Sequence, residues 1–335
     1  MNPATDTASA RRVVITGARG YIGGALARRL LATSCALRLV SRSSAPVPPE
    51  LEGNTKIEHV AADLGDERAW LEILADADAV VHLSSRTDLR AAEADPDGDE
   101  RINVEPVRAL VRAAKLKAVR ARIAFASAVT VVGSVHTNPV DESTPSNPCS
   151  VYDRHKLACE TILHNATQHG LLRACSLRLA NVYGYGSAPI NANRGILNMM
   201  IARAARGEPL TLYGEGAYVR DFIHLDDVVE AFCRAAASDP ACDGSSYVIA
   251  SGRGHTLAEA FGLVVEEARR LAGRAVEIRH VAEPADLHPI ERRNFVGNSS
   301  RFGGRTGWSA KIDLRQGIRD YFGRLEPQSA LAAGA

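Results

Sequence analysis

An α/β fold centred on a doubly wound, seven-stranded parallel sheet is what the sequence predicts, and three observations predict it. Over the first 180 residues, short β-branched runs alternate with segments of helical spacing, the pattern of parallel strands joined by crossover helices. Glycines at 17, 20 and 23 separate the first strand from the first helix, where they permit a tight turn and a close approach of backbone to a pyrophosphate. Beyond residue 186 the order changes, and a helix and a strand-forming run return to the sheet late in the chain. A smaller α/β substrate lobe is therefore expected to be interleaved with the sheet, with the ligand in the cleft between them. The expected limits are 11–180 for the dinucleotide-binding domain, with 221–250 returning to it, and 181–325 for the lobe, with flexible ends at 1–10 and 327–335.

Each element has its own justification. Arg11 to Thr16 (RRVVIT) reads as the first strand and Tyr21 to Leu31 as the helix behind the glycine loop, so Gly17, Gly20, Tyr21, Ile22 and Gly23 are candidate cofactor contacts. Ala36 to Ser41 is the second strand, at whose end a dinucleotide fold reads the adenosine ribose. No Asp or Glu occurs from Gly24 to Pro49, while Ser41 and Arg42 supply hydroxyl and cation, a set suited to a 2′-phosphate. The cofactor expected is NADP(H), with NAD the second choice; Arg19, inside the loop, is a further candidate for that phosphate. The plainer reading of Arg42 is that it begins a solvated, Pro-rich loop.

Lys56 to Ala61 is the third strand, running into Asp63 and Leu64. Asp63 could accept from an adenine amino group or cap the helix Glu67 to Leu74. Ala79 to Leu83 is the fourth strand, and Leu83, Ser84 and Arg86 leave it where the nicotinamide half of a dinucleotide should lie. The acidic stretch Glu93 to Glu100 reads as a solvated loop. Val104 to Val119 is an amphipathic helix preceded by Asn103, Arg122 to Ser127 the fifth strand, Pro139 to Pro148 a loop, Cys175 to Leu179 the sixth strand and Ser246 to Ala250 the seventh. In the lobe, a loop followed by a helix over Asn191 to Leu210, a short strand Thr211 to Tyr213, a helix Thr256 to Leu271 and a strand Val276 to His280 are expected, and Asp226 to Ala237 is the helix that returns to the sheet.

The helix that follows the Pro139 to Pro148 loop carries Tyr152 and Lys156. A spacing of four puts phenol and ammonium on one face, a turn apart. A phenol ordinarily titrates at about 10, and a fixed neighbouring cation favours its phenolate, so the pair could exchange a proton near neutrality. Such pairs are also common as a half-buried tyrosine beside a solvated lysine.

Composition narrows the partners. The 335 residues are 46% hydrophobic with a formal net charge of +1, which gives no broad electrostatic claim on nucleic acid or anionic membrane. No run of the sequence is long and apolar enough for a span, and Met1 to Ala10 lacks the apolar core of a signal peptide, so a cytoplasmic location is expected. Six scattered cysteines without CxxC spacing point to reduced thiols, with neither a disulfide framework nor a metal site.

Taken together, TGARGYIG, AADL, VVHLSS, Asn103-Val104, the YxxxK pair, LRLANVYGYG and VRDFIHLDDVVEAF, in that order across roughly residues 11–320, resemble the extended short-chain dehydrogenase/reductase family of nucleotide-sugar enzymes. The resemblance implies a Rossmann sheet, Tyr152 as proton-transfer residue, and a second task for Lys156 in holding the nicotinamide ribose. It also places Asn103 near the site, puts Asn181, Tyr213, Arg220 and Arg292 or Arg293 at the nucleotide diphosphate, and makes a homodimer the expected assembly; Arg86 and Arg194 are further candidates for the substrate. Where the family carries a Ser or Thr after the fifth strand, alignment on Gly133 puts Ala128. Neighbouring Ser127 or Thr130 could substitute, although alternation along an extended segment turns Ser127 away from the direction Ala128 faces. Three outcomes are open: Tyr152 alone serves the substrate oxygen, the alignment slips by one, or activity is reduced or altered. Ser127 is kept among the candidate cofactor contacts. Dehydratases of the family have an Asp-Glu pair where this chain has Val129 and Thr130, which argues against dehydration.

The stretches LRLVSRSSAPVPPE, YDRHKLACETIL and SGRGHTLAEAF are similar to the bacterial NDP-hexose 4-ketoreductases of deoxysugar and antibiotic biosynthesis. The expected activity is NADPH-dependent reduction of a keto group, at C4, of an NDP-6-deoxyhexose carrying dTDP. The rivals are an NDP-sugar 4-epimerase with tightly bound NAD and a catalytically weak dinucleotide-binding protein.

Overall fold

Val13, Val14 and Ile15 are all buried, as a strand covered on both faces requires. Alternation sends Val13 and Ile15 to one apolar cluster and Val14 to the other, so β1 (Arg12–Thr16) separates two cores. In the computed structural model, which describes residues 11–42, 51, 53–135, 137–186, 195–237 and 243–332, β1 lies inside a seven-stranded sheet. The other strands are β2 (Ala36–Ser41), β3 (Ile57–Ala61), β4 (Ala79–His82), β5 (Arg122–Ala128), β6 (Arg173–Leu179) and β10 (Ser245–Ile249). Their spatial order is β10-β6-β5-β4-β1-β2-β3, and every pairing is parallel. The Rossmann sheet expected from sequence is thus present, and its order reverses between β1 and β4, where such sheets bind ligands.

Helices cover both faces. On the Val13/Ile15 side, Leu26 of α1 (Tyr21–Leu31) and Val228 and Phe232 of α8 (Leu225–Ala237) join the cluster. Opposite, Trp70 of α2 (Glu67–Ile73), Leu110 of α5 (Glu105–Leu116) and Leu163 of α6 (Val151–Gln168) pack on Val14, Val80 and Phe125. A third cluster lies elsewhere, formed by Met200 of α7 (Ile196–Ala205), Phe222 of β9 (Val219–His224), Phe261 of α9 (Leu257–Ala272) and Ile318 of α10 (Leu314–Ala332). Two small sheets accompany it. In one, β9 lies between β7 (Asn181–Tyr183) and β11 (Gly254–Thr256); in the other, β8 (Leu210–Tyr213) pairs with β12 (Ile278–Val281).

The structure corrects one expectation. The acidic stretch from 93 to 100 is not a solvated loop but the junction of two short helices, α3 (Leu89–Ala94) and α4 (Pro96–Asn103). The Asp95 side chain accepts from Gly98 N with Pro96 at the first helical position, which makes an acidic, Pro-containing run a helix start. Asp99 is fully buried. Burial opposes its ionisation, but hydrogen bonds from His155, Arg86 and Asn103 outweigh that and hold the carboxyl below its usual range.

Candidate active site

The carboxyl ends of β1, β4, β5 and β6 open into one cleft of about 480 Å³. Gly17, Gly20, Tyr21, Ile22 and Gly23 form one wall, and Leu83, Ser84 and Ser85 leave β4 beside them. The turn is shaped for close approach. Gly17 has φ +68°, and a Cβ there would lie 2.9 Å from Ser84 N; one at Gly23 would lie 2.3 Å from the Gly17 carbonyl oxygen. Thr16 Oγ1 accepts from Leu83 N at 3.2 Å and Ser84 N at 3.3 Å, fixing the exit of β4 against β1. No side chain caps α1 and no acidic residue sits in its first turn, so its N-terminal amides and dipole are directed to an anion. A dinucleotide pyrophosphate fits this cradle. Gly23→Ala is expected to destabilise the chain by about 3 kcal/mol, because the clash is backbone on backbone, and to weaken dinucleotide binding; thermal unfolding and cofactor titration would check both.

Tyr152 and Lys156 enter from α6. Ser150 starts that helix by accepting from Asp153 N at 3.0 Å, and residues 152, 156 and 160 then share a face. Lys156 is 3% exposed. Its Nζ donates to the Ala126 carbonyl at 2.8 Å and lies 5.6 Å from the centre of the Tyr152 ring. Burial pulls its pKa down to about 8, against the opposing pull of Cys159, Asp99 and Glu160. Beneath the site His82 is buried and uncharged, its pKa lowered to about 3 by burial and then by Lys156.

One turn beyond Lys156, Glu160 pins the helix to the sheet. It accepts from Ser127 Oγ at 2.5 Å, from Arg178 Nη2 at 2.7 Å and from Ser246 Oγ at 3.0 Å. These partners come from β5, β6 and β10, so the reactive face of α6 is held in register with three strand ends. Ser127 lines the cleft, but its hydroxyl proton goes to Glu160. Thr130 lies in a single turn of 3-10 helix, Val129–Val132, where strand alternation no longer applies. Its hydroxyl donates to Asp153. Ala128 has none to give, so none of these three side chains offers a hydroxyl proton to the cleft.

On the lobe side the cleft is closed by Asn181, Glu291 and Arg293. Arg293 is 9% exposed; Nη1 donates to Ile290 O at 2.7 Å and Nη2 reaches Asn181 Oδ1 at 3.4 Å, while its buried Nε has no hydrogen-bond partner among the described residues. An unpartnered guanidinium N–H beside a cleft suits an oxyanion ligand. Arg220 lies behind it rather than in the cleft: burial lowers its pKa to about 10, and it donates to the carbonyls of Glu291 and Arg293. Its role in this structure is to hold the segment that carries Arg293.

The profile of the NAD dependent epimerase/dehydratase family matches residues 13–250, most of the chain. The chain belongs to that family. The UDP-glucose 4-epimerase of Mycolicibacterium smegmatis is 28% identical over 315 residues, covering 92% of this chain and 96% of the relative. The GDP-6-deoxy-D-mannose reductase of Pseudomonas aeruginosa is 26% identical over 318 residues, covering 92% and 95%. Among solved structures, the UDP-glucose 4-epimerase of Thermus thermophilus in complex with NAD superposes with a TM-score of 0.79 at 26% identity, covering 94% of this chain and 99% of that one.

Several sequence candidates fall outside this cleft. Asn103 is buried, with Oδ1 accepting from Ser85 Oγ and Arg86 N and Nδ2 donating to Arg86 O and Asp99. It shapes the loop after β4. Arg86 is turned away, to Asp99 and the Asp95 carbonyl. Tyr213 ends β8 in the separate two-stranded sheet, 42% exposed. Asp63 accepts from Gly65 N at 2.9 Å and does not cap α2, whose cap is Asp66; Leu64 is buried with its carbonyl on Trp70 Nε1. Arg19, Ser41 and Arg42 lie at the ends of β1 and β2, with Arg19 and Arg42 exposed. Arg194 is outside the described residues.

Glu160 and Asp153 are not among the sequence candidates, and Thr130 is weighed there only as a neighbour of Ala128. Glu160 carried a usable signal, its spacing of four from Lys156 and eight from Tyr152. Asp153 carried a weaker one, three residues after Ser150 at a helix start.

Proposed function

We propose that this family member is a nucleotide-sugar ketoreductase: an NADPH-dependent reduction of a keto group, at C4, of a dTDP-linked 6-deoxyhexose. One observation carries the proposal, namely that Tyr152 and Lys156 face the same cleft as the uncapped glycine loop at one end and the Asn181–Arg293 pair at the other. Gly17, Gly20 and the first amides of α1 hold the pyrophosphate of the dinucleotide, and Lys156 is close enough to Tyr152 to hold its ribose. A reduced nicotinamide, when bound, supplies hydride. Tyr152 Oη gives its proton to the alkoxide oxygen that develops on the sugar, and the Lys156 ammonium stabilises the phenolate left behind. Arg293 and Asn181 grip the sugar nucleotide's diphosphate, so that remote binding energy positions the ring. Water is limited at Lys156 by its burial, which strengthens these interactions. The same reading makes the enzyme a cytoplasmic homodimer joined through α5 and α6; among the described residues no helix is long and apolar enough to cross a membrane.

The exposed Arg42, in a stretch without carboxylates, supports NADPH, and the reductase from Pseudomonas supports reduction. The epimerases from Mycolicibacterium and Thermus, the latter solved with NAD, support the second reading, interconversion at C4 on a retained NAD. Incubation with dTDP-4-keto-6-deoxyglucose separates the two. Ketoreduction requires NADPH consumption in step with a new alcohol, and faster than with NADH. Retained NAD in the purified protein, no net NADPH consumption and interconversion of a C4 epimer pair would replace reduction by epimerisation.

A further inference from the structure

The wall that carries Ala128 has an unusual hydrogen-bonding polarity. Asp153 is fully buried. Its Oδ2 accepts from Ser150 Oγ at 2.7 Å and its Oδ1 from Thr130 Oγ1. Ser150 in turn accepts from the Asp153 amide, so each hydroxyl in the cluster has its single proton aimed at the carboxylate. Thr130 is half-exposed and lines the cleft. With its proton committed, its oxygen retains only lone pairs for a ligand, and donation to a carboxylate makes that oxygen a stronger acceptor. Ser127 likewise gives its proton to Glu160. Between them stands Ala128, with no polar atom in its side chain.

From this we infer that Thr130 is a specificity-determining residue: held by Asp153, it accepts a hydrogen bond from a hydroxyl on the carbon next to the reacting carbonyl, and Asp153 is the positioning residue that fixes its polarity. The wall therefore works by selection of the substrate rather than by activation of its carbonyl. A carbonyl oxygen cannot donate to Thr130 and is directed to Tyr152, whereas a neighbouring hydroxyl finds an acceptor. A sugar lacking that hydroxyl leaves Thr130 without a partner in a desolvated cleft, a cost of the kind that produces strong discrimination. The inference rests on the ketosugar reading of the cleft for the identity of the ring, and its test is chosen to be independent of turnover.

The affinity of the 335-residue chain, saturated with NADP⁺, is to be measured by calorimetry for dTDP-4-keto-6-deoxyglucose and for its 3-deoxy counterpart. Wild type is expected to prefer the hydroxylated compound by about tenfold. Thr130→Val, which keeps the shape and loses the acceptor, should bind both equally, and Thr130→Ser should restore the preference. A Thr130→Val preference equal to that of wild type overturns the inference, as does a wild type that binds both compounds alike. NADPH consumption on the same ketosugar is read in parallel and bears only on reduction: a preference that disappears in Thr130→Val without turnover supports the role of Thr130 and defeats ketoreduction, and wild type that binds neither compound defeats both.

Discussion

Replacing Tyr152 with phenylalanine is expected to lower turnover by between about 10² and 10⁴-fold, the usual contribution of a positioned proton donor, with cofactor affinity unchanged. The size follows from the surroundings. Ser127 and Thr130 have given their hydroxyl protons to Glu160 and Asp153, and Ala128 has none, so this wall holds no second hydroxyl able to take over. The phenyl ring keeps its packing beside Lys156, whose Nζ lies 5.6 Å from the ring centre, so the substitution removes one oxygen without opening a cavity. Single-turnover rates and cofactor titration on the same preparation make the test. Turnover within about tenfold of wild type would mean that protonation of the sugar oxygen does not depend on Tyr152, and a chain that binds dinucleotide without turning over any sugar in either form would be a binding protein.

The sheet was legible because its central strands, β1 and β4 among them, are buried on both faces. Runs such as VVIT and AVVHL can satisfy neither a helix nor an exposed hairpin, and the glycine spacing at 17, 20 and 23 fixes where the first turn must be tight. The pairing of Tyr152 with Lys156 was legible for a similar reason, since helical periodicity alone puts them on one face. What escaped were residues whose meaning depends on distant partners. Asp99 belongs to an acidic run that looks solvated until His155, Arg86 and Asn103 meet it from α6, the β4 exit and its own helix. Arg220 and Tyr213 were assigned by position in a motif, but one is consumed by the carbonyls of Glu291 and Arg293 and the other ends a strand outside the cleft. Thr130 was treated as part of an extended strand, and the chain turns into a 3-10 helix one residue too early for that.

Lys156→Met is expected to abolish turnover and yet leave the fold as stable as wild type or more stable. The ammonium of Lys156 is buried and, among the described residues, donates to the Ala126 carbonyl, and burial lowers its pKa from 10.5 to about 8. At neutral pH a shift of that size corresponds to a cost of roughly 3 kcal/mol for keeping the charge in the folded chain. Methionine of similar length removes the charge, and the loss of the bond to Ala126 returns about 1–2 kcal/mol of penalty, so the net change should favour the variant. The pH dependence identifies the cause. Between pH 8 and 10.5 the unfolded lysine still holds its proton while the folded one has released it, so the unfolded state binds more protons and wild-type stability rises through this window. The advantage of Lys156→Met should therefore be largest below pH 8 and vanish above 10.5. Denaturant titrations of both proteins across that range measure it directly. A variant that is less stable than wild type at every pH would show that the amine is a net stabiliser of the fold; a gain in stability with loss of turnover would show a charge kept in the cleft for chemistry, at the expense of the sheet it sits on.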